Sequence, residues 1–400
     1  MRWLLGLVLL AFGVAAALPS AIRLGLADIP GPADRDLALI DPAPIPEPNA
    51  FDALMRAAQA LPSGEPLDAI IREQLGKAPF ETEAASALIA EYSEVLSHFD
   101  RALAAPGFRT PDATWDEDLP NVQAWFTAAR LHALDVRVRF ERASTEGSGP
   151  DVLRLLELGR RVQADPSATW LHWIAGAELK EIGLRTLIAA TATWRPTAGV
   201  SHAWSRTLSE FTTRSDDLHT AWAGEYRAAR SALLASAPPS GSSYSFQPNR
   251  TLALQASHTR SLQARAGRRC AELEPELHSV DSRSPAMLFL RGLRPNAVGE
   301  ILAEVARPSG NRFALRRCAA DTLLAATQLT IALAAASSET GRLPERLSDL
   351  VPTYIAAIPT SAYDGTALKL DGQGRRLATN GSALPEARAT QQSPDFPLPF

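Results

Sequence analysis

Lysine is nearly missing from this chain: of 40 basic residues, only Lys77, Lys180 and Lys369 are lysines, and the rest are arginines. We read that bias as genome composition rather than mechanism. A strong charge of one sign is missing too. The formal net charge is −4, which argues against a nucleic-acid partner. The seven histidines (98, 132, 172, 202, 219, 258 and 278) never pair at helical ligand spacing, and His-Glu-x-x-His does not occur. Gly-x-Ser-x-Gly, a phosphate-binding loop and a Rossmann glycine run are also absent. These absences leave no catalytic, cofactor-binding or metal-binding residue to name, and no cofactor is expected.

Cysteine is scarce as well. Cys270 and Cys318 are the only two, each preceded by Arg-Arg. Outside the cytoplasm an even pair is a disulfide candidate, and closing a loop of this length would stabilise by about 4 kcal/mol in the chain-entropy model. Two buried free thiols, behaving as small apolar side chains, are the alternative, and a low-pKa thiol beside arginine is a third.

What is present begins with an uncharged run between Arg2 and Arg23. It could cross an apolar layer of about 30 Å as a helix. It also fits a cleaved signal peptide with Ala15-Ala16-Ala17 at the cleavage site. The retained anchor is the expectation, and either reading takes the chain out of the cytoplasm. The flanking arginines are too balanced to fix its orientation. Prolines at 30, 32, 42, 44, 46 and 48 follow, which reads as an extended, semi-rigid stalk.

From residue 49 onward the periodicity is helical. Phe51, Leu54, Met55, Ala58 and Leu61 share one face, with Asn49 as N-cap and Asp52 at the capping-box position. Ala85 to Leu103 reads as one amphipathic helix ending at Pro106-Gly107, and residues 122–140 as another, broken at Gly147-Ser148-Gly149-Pro150. Further helical signals cover 152–162, 170–188, 203–234 (one helix or two), 251–271, 287–293 and 297–305. The Ser/Gly/Pro-rich run 238–248 reads as a loop. Pro-Asn recurs before helical runs at 48–49, 120–121, 248–249 and 295–296, a structural device in which proline is extended and asparagine caps the first turn.

The C-terminal stretch is the most organised. An Ala-rich apolar helix covers 314–338, with Leu323, Ala326, Leu329, Thr330 and Leu333 on one stripe and Ile331 widening it. Gly341 suits the left-handed position past its end, and Pro344 suits the first turn of a new helix. Leu347, Leu350, Val351, Tyr354 and Ile355 can fold back on that helix. A short β-pair follows at 367–370 and 375–379, joined through Gly372-Gln373-Gly374.

This stretch resembles the C-terminal part of major pseudopilins of type II secretion. Gly341-Arg342-Leu343-Pro344 stands where that family has Gly-x-Tyr-Pro, Leu347-Ser348-Asp349-Leu350 forms the hook, and Ser361-Ala362-Tyr363-Asp364-Gly365 replaces its Asp-Pro-aromatic-Gly segment. The family's acidic calcium loop and prepilin-peptidase signature have no counterpart, so the resemblance implies neither a bound metal nor filament assembly. Segments 45–50, 247–252 and 294–299 are similar to ones in a group of uncharacterised bacterial envelope proteins that share this layout.

Few polar residues invite a chemical reading. His172, between Leu171 and Trp173, fits a helix surface or a partly buried position. Asp216-Asp217 and the Glu300/Glu304 pair read as solvated faces. Glu178 and Glu225 lie in apolar helices near Trp173 and Trp222. A buried carboxylate of raised pKa is one reading of them, and a surface Glu is the expectation.

The expectation is therefore a mainly α chain with an N-terminal hydrophobic helix, an irregular multi-helix domain and a small C-terminal helical hook with a β-hairpin. Residues 1–26 would be a membrane anchor or signal peptide, 27–48 a Pro-rich linker, 49–310 the helical domain, 311–383 a pseudopilin-like module packed on it, and 384–400 a Pro-rich tail. The expected role is that of a non-enzymatic, membrane-anchored envelope protein of the bacterial inner membrane. Its soluble part would be periplasmic, and an envelope protein is its candidate partner. The alternative is an exported hydrolase with a site assembled from dispersed residues.

Overall fold

Asp34 and Leu37, in the stretch read as a free stalk, are both buried. A short helix, α1 (Arg35–Ala38), carries Leu37 into a cluster with Tyr226 and Ala256. The Tyr226 hydroxyl donates to Asp34 Oδ2 at 2.6 Å. Residues 28–38 are thus a packed strap, because one leucine and one hydrogen-bonded carboxylate suffice to hold a short segment down. The computed structural model describes residues 28–38, 44–62, 66–77, 79–111, 121–142, 145–235, 244–266, 268–272, 294–305, 310–371, 376–378 and 396–398. The N-terminal apolar run, the helix expected at 287–293, the first part of the 238–248 loop and the 372–374 turn lie outside the described residues.

Among the described residues the architecture is mainly helical. Helices α2 (Ala50–Gln59), α3 (Leu67–Gly76), α4 (Thr82–Glu91) and α5 (Ser93–Ala104) form a first layer. Asn49 caps α2, its Oδ1 accepting from the Phe51 N–H at 3.2 Å. It does not form the expected capping box with Asp52. Its remaining bonds go to the Arg109 backbone N–H and C=O instead, at 3.0 and 2.8 Å. The single helix expected over 85–103 is split at Tyr92, which leaves the helical region at φ −104° and ψ 31°. The bend lets α5 pack on α2 while α4 packs on α6 (Val122–Glu141).

Helix α6 is buried nearly all round. Beside it lie α7 (Thr145–Gln163) and α8 (Trp170–Ala190), the most intimately packed pair in the fold. A Cβ on Gly176 would sit 2.4 Å from the Gly159 carbonyl oxygen, so only glycine permits this close approach of backbones. The break expected at 147–150 is not one: Pro150 lies inside α7, at its sixth residue.

The region 203–234 forms two helices, α9 (Ala198–Ser209) and α10 (Ser215–Ala235), and α11 (Pro248–Ala266) and α12 (Ala297–Val305) follow. The Pro-Asn device works as expected at Asn49 and at Asn121, which accepts from the Ala124 N–H at 3.3 Å. It does not at Asn249. Asn249 lies inside α11, whose first N–H groups are capped by Asp28. Asn296, at φ 63°, is a buried bridge.

Helix α13 (Gly310–Thr340) is long and apolar enough to cross a membrane by composition, yet it is mostly buried inside the fold. It packs on α8 and α9. Gly341, at φ 72°, ends it, and a 3-10 turn at Leu347–Leu350 replaces the helix start expected at Pro344. Leu347, Leu350, Tyr354 and Ile355 cover Leu329 and Leu333 of α13. Tyr354 also donates to Glu339 at 3.1 Å and accepts, through its carbonyl, from Ser201 of α9 at 2.8 Å. Strands β1 (Lys369–Leu370) and β2 (Arg376–Ala378) pair antiparallel, with Leu370 opposite Leu377. A third strand, β3 (Phe396–Pro397), adds to β2 and was not expected, because two prolines and the lack of alternation hide it in the tail. Cys270 and Cys318 are joined, Sγ–Sγ 2.08 Å and Cα–Cα 6.5 Å, tying the turn after α11 to α13.

Candidate functional site

Charges on a buried helix need partners, and α6 carries Arg130 and Arg137 into the interior. Arg137 pairs with Glu141 one turn on in the same helix, while Arg130 finds its partners on helices distant in sequence. Arg130 donates from Nη1 to Asp68 of α3 at 2.6 Å and from Nη2 to Glu178 of α8 at 2.8 Å. Arg72, one turn beyond Asp68, meets its other oxygen at 2.7 Å. On the far side, Arg316 of α13 bonds Glu178 and lies 3.1 Å from Glu181, which Arg185 holds at 2.8 Å. The result is an alternating ladder: Arg72, Asp68, Arg130, Glu178, Arg316, Glu181, Arg185. It joins α3, α6, α8 and α13.

This ladder borders a cleft of about 390 Å³ between α3, α6 and α8. Leu75, Ile182 and Ala189 supply its apolar wall. Arg137 reaches it as well, bonded to Glu141 at 2.6 Å and lying 5.3 Å over the Phe80 ring. The volume is that of an ordinary small-molecule or side-chain pocket. Arg72, Arg130, Arg137 and Arg185 line the cleft with Glu178 and Glu181, so it presents both signs with a positive excess.

Each residue singled out in the sequence has a definite place. Glu178 is largely buried and gripped by two arginines rather than lying on the surface. Its isolation in an apolar helix was legible, whereas its partners, 48 and 138 positions away, were not. Glu225 is largely buried too: burial pushes its carboxyl up to about 7, opposed by hydrogen bonds from Trp170 at the start of α8. His172 is buried, its Nδ1 accepting from the Thr169 N–H at 3.2 Å, and burial lowers its pKa. It closes the start of α8 and does not line the cleft. Asp217 stands in the first turn of α10, where burial raises its carboxyl. Glu300 and Glu304 lie on α12. None of these groups converges with another into a catalytic set, and among the described residues no cluster of three or more His, Cys, Asp or Glu could hold a metal.

Sequence reasoning missed Lys180. Its stem runs past Gly159, its buried ammonium donates to the Phe211 carbonyl at 3.0 Å, and burial lowers its pKa. Flanked by Glu178 and Glu181 in sequence, it reads as an ordinary solvated charge, and nothing local signals its burial. No protein-family model matches the chain, and neither a curated protein nor a solved structure is similar enough to match it.

Proposed function

We propose that this chain is a non-enzymatic, membrane-anchored envelope protein whose helical body serves a structural or interaction role, with the Arg-lined cleft as its interaction site. One observation carries this reading. The carboxylates on the ladder, Asp68, Glu178 and Glu181, are each held by two arginines. A carboxylate held by two charge-assisted bonds is fixed in place, which suits recognition of mixed charge more than proton transfer. An apolar wall beside an ordered charge pattern is the usual make-up of a specific contact site.

The location rests on the uncharged run between Arg2 and Arg23 and on the paired cysteines, which suit an oxidising compartment. In this reading the membrane is the bacterial inner membrane and the body lies in the periplasm. The C-terminal segment that resembles a pseudopilin acts as a packing module of the body, consistent with α13 lying inside it. Expressed in a bacterial host, the full chain should pellet with membranes, resist alkaline carbonate and be digested by protease added to spheroplasts. A soluble product with a new N-terminus at Leu18 or Ile22 would overturn the anchor. Turnover of ester, glycoside or peptide substrates, lost in a folded Glu178→Gln variant, would overturn the non-enzymatic role and favour the hydrolase alternative.

A further inference from the structure

The start of α11 gathers three things at one end of the fold. Asp28, the first described residue after the apolar N-terminal run, accepts from the Asn249 and Arg250 N–H groups at 2.7 and 3.1 Å. Asn249 returns a bond to the Ile29 carbonyl at 3.0 Å. Helix α12 begins at the same place. Buried Asn296 donates to the Tyr244 carbonyl, and its Oδ1 accepts from the Gln247 N–H and the Thr251 hydroxyl, at 2.8, 2.8 and 3.1 Å. One helical turn on, Gln255 donates to the Ala303 carbonyl at 3.2 Å. So α12 lies along α11 and is fixed to it at both ends.

Fixed in this way, α12 turns an apolar face outward. Val298, Ile301 and Leu302 are 44%, 43% and 40% exposed, with Tyr244 beside them at 40%. Positions 298, 301 and 302 share one helical face, and Glu300 and Glu304 lie on the other. An outward apolar face with its charges on the opposite side lets a short helix lie apolar side down on a bilayer. Exposed Arg294 precedes it and Arg250 stands at the start of α11, cations suited to anionic headgroups.

The chain outside the structure says what covers this face. The uncharged run ends at Ile22 and Asp28 is pinned to α11, so the bilayer that takes the run lies within about 20 Å of that pin at full extension. Helix α12 is itself only about 13 Å long. We infer that the outward face of α12, with Tyr244, rests on the surface of the same bilayer that holds the N-terminal run. This rests on the anchored reading above. It adds a second membrane contact that would set the body's orientation.

The test uses the full chain reconstituted into phosphatidylcholine–phosphatidylglycerol vesicles, with an environment-sensitive fluorescent amino acid at Ile301 or, as control, at exposed Ile70 on α3. Brominated lipids should quench the probe at 301 and leave the probe at 70 unquenched, and Leu302→Glu should relieve the quenching at 301. A protein that floats with the vesicles but shows no quenching at 301 would overturn this inference alone, leaving the face to residues 273–293 or to a second copy. Equal quenching at 70 would overturn it as well. A protein that does not float would overturn the anchor, and this contact with it.

Discussion

Two helices are buried almost all round, and they are buried by opposite means. From Leu323 to Ala336 helix α13 carries no charge, and Thr327 and Thr330 turn back on their own backbone, donating to the Leu323 and Ala326 carbonyls, both at 2.8 Å. Helix α6 carries arginines and a histidine into the same interior, holding Arg130 by pairing across helices and Arg137 through Glu141 one turn on. Apolar burial is non-directional and needs only area. Ionic burial is directional, and it fails when one partner is lost. The first kind makes the body cohere, while the second shapes a cleft.

The largest expected effect is on the apolar side. Leu329 is fully buried against the hook, so Leu329→Asp should destabilise the whole body by more than about 4 kcal/mol, since it buries an unpaired charge. Chemical denaturation followed by far-UV circular dichroism would measure it. If the loss were confined to residues after 310, with the rest unfolding as before, α13 would belong to a separate unit.

Glu225 gives an intermediate effect with a pH signature. Its carboxyl sits near 7 when folded, against 4.5 as its ordinary value. Below both values the carboxyl is protonated in both states and exerts no effect. As pH rises from 4.5 to about 7 the unfolded chain ionises first, so stability falls, and above 7 the loss is complete. The full loss is on the order of 3 kcal/mol. Glu225→Gln should flatten stability across that window, read as melting temperature against pH. An unchanged slope would place the ionisation elsewhere.

Smaller still is the effect of the tail. Phe396 pairs opposite Leu377, and Leu398 is buried with it. Removing residues 384–400 should therefore cost about 2 kcal/mol, the worth of one well-buried large side chain, rather than the negligible loss expected of a Pro-rich end. A thermal midpoint unchanged by the truncation would show that β3 adds nothing.

This contrast also explains what could be read in advance. The stripe through Leu323, Leu329 and Leu333, the stop at Gly341 and the pairing of 369–370 with 376–378 are local patterns, so periodicity and turn residues expose them. The strap at 28–38 was misread because prolines suggested a stalk, while its burial depends on Tyr226, 192 positions from Asp34. The cleft was hidden for the same reason. Asp68/Arg72 and Glu181/Arg185 are visible as pairs one turn apart, but nothing in a single sequence aligns them with Arg130 and Arg316. Tertiary placement does that.

The ladder's central link can be measured directly. In a double-mutant cycle of Arg130→Met and Glu178→Met on the full chain, each single variant should cost about 3–5 kcal/mol, because it strands the partner's charge in a largely buried site. The double variant should cost far less than their sum, leaving a coupling energy above about 1.5 kcal/mol. Additivity within about 0.5 kcal/mol would mean that the two charges do not hold each other, and the account of an arginine-clamped cleft would be wrong.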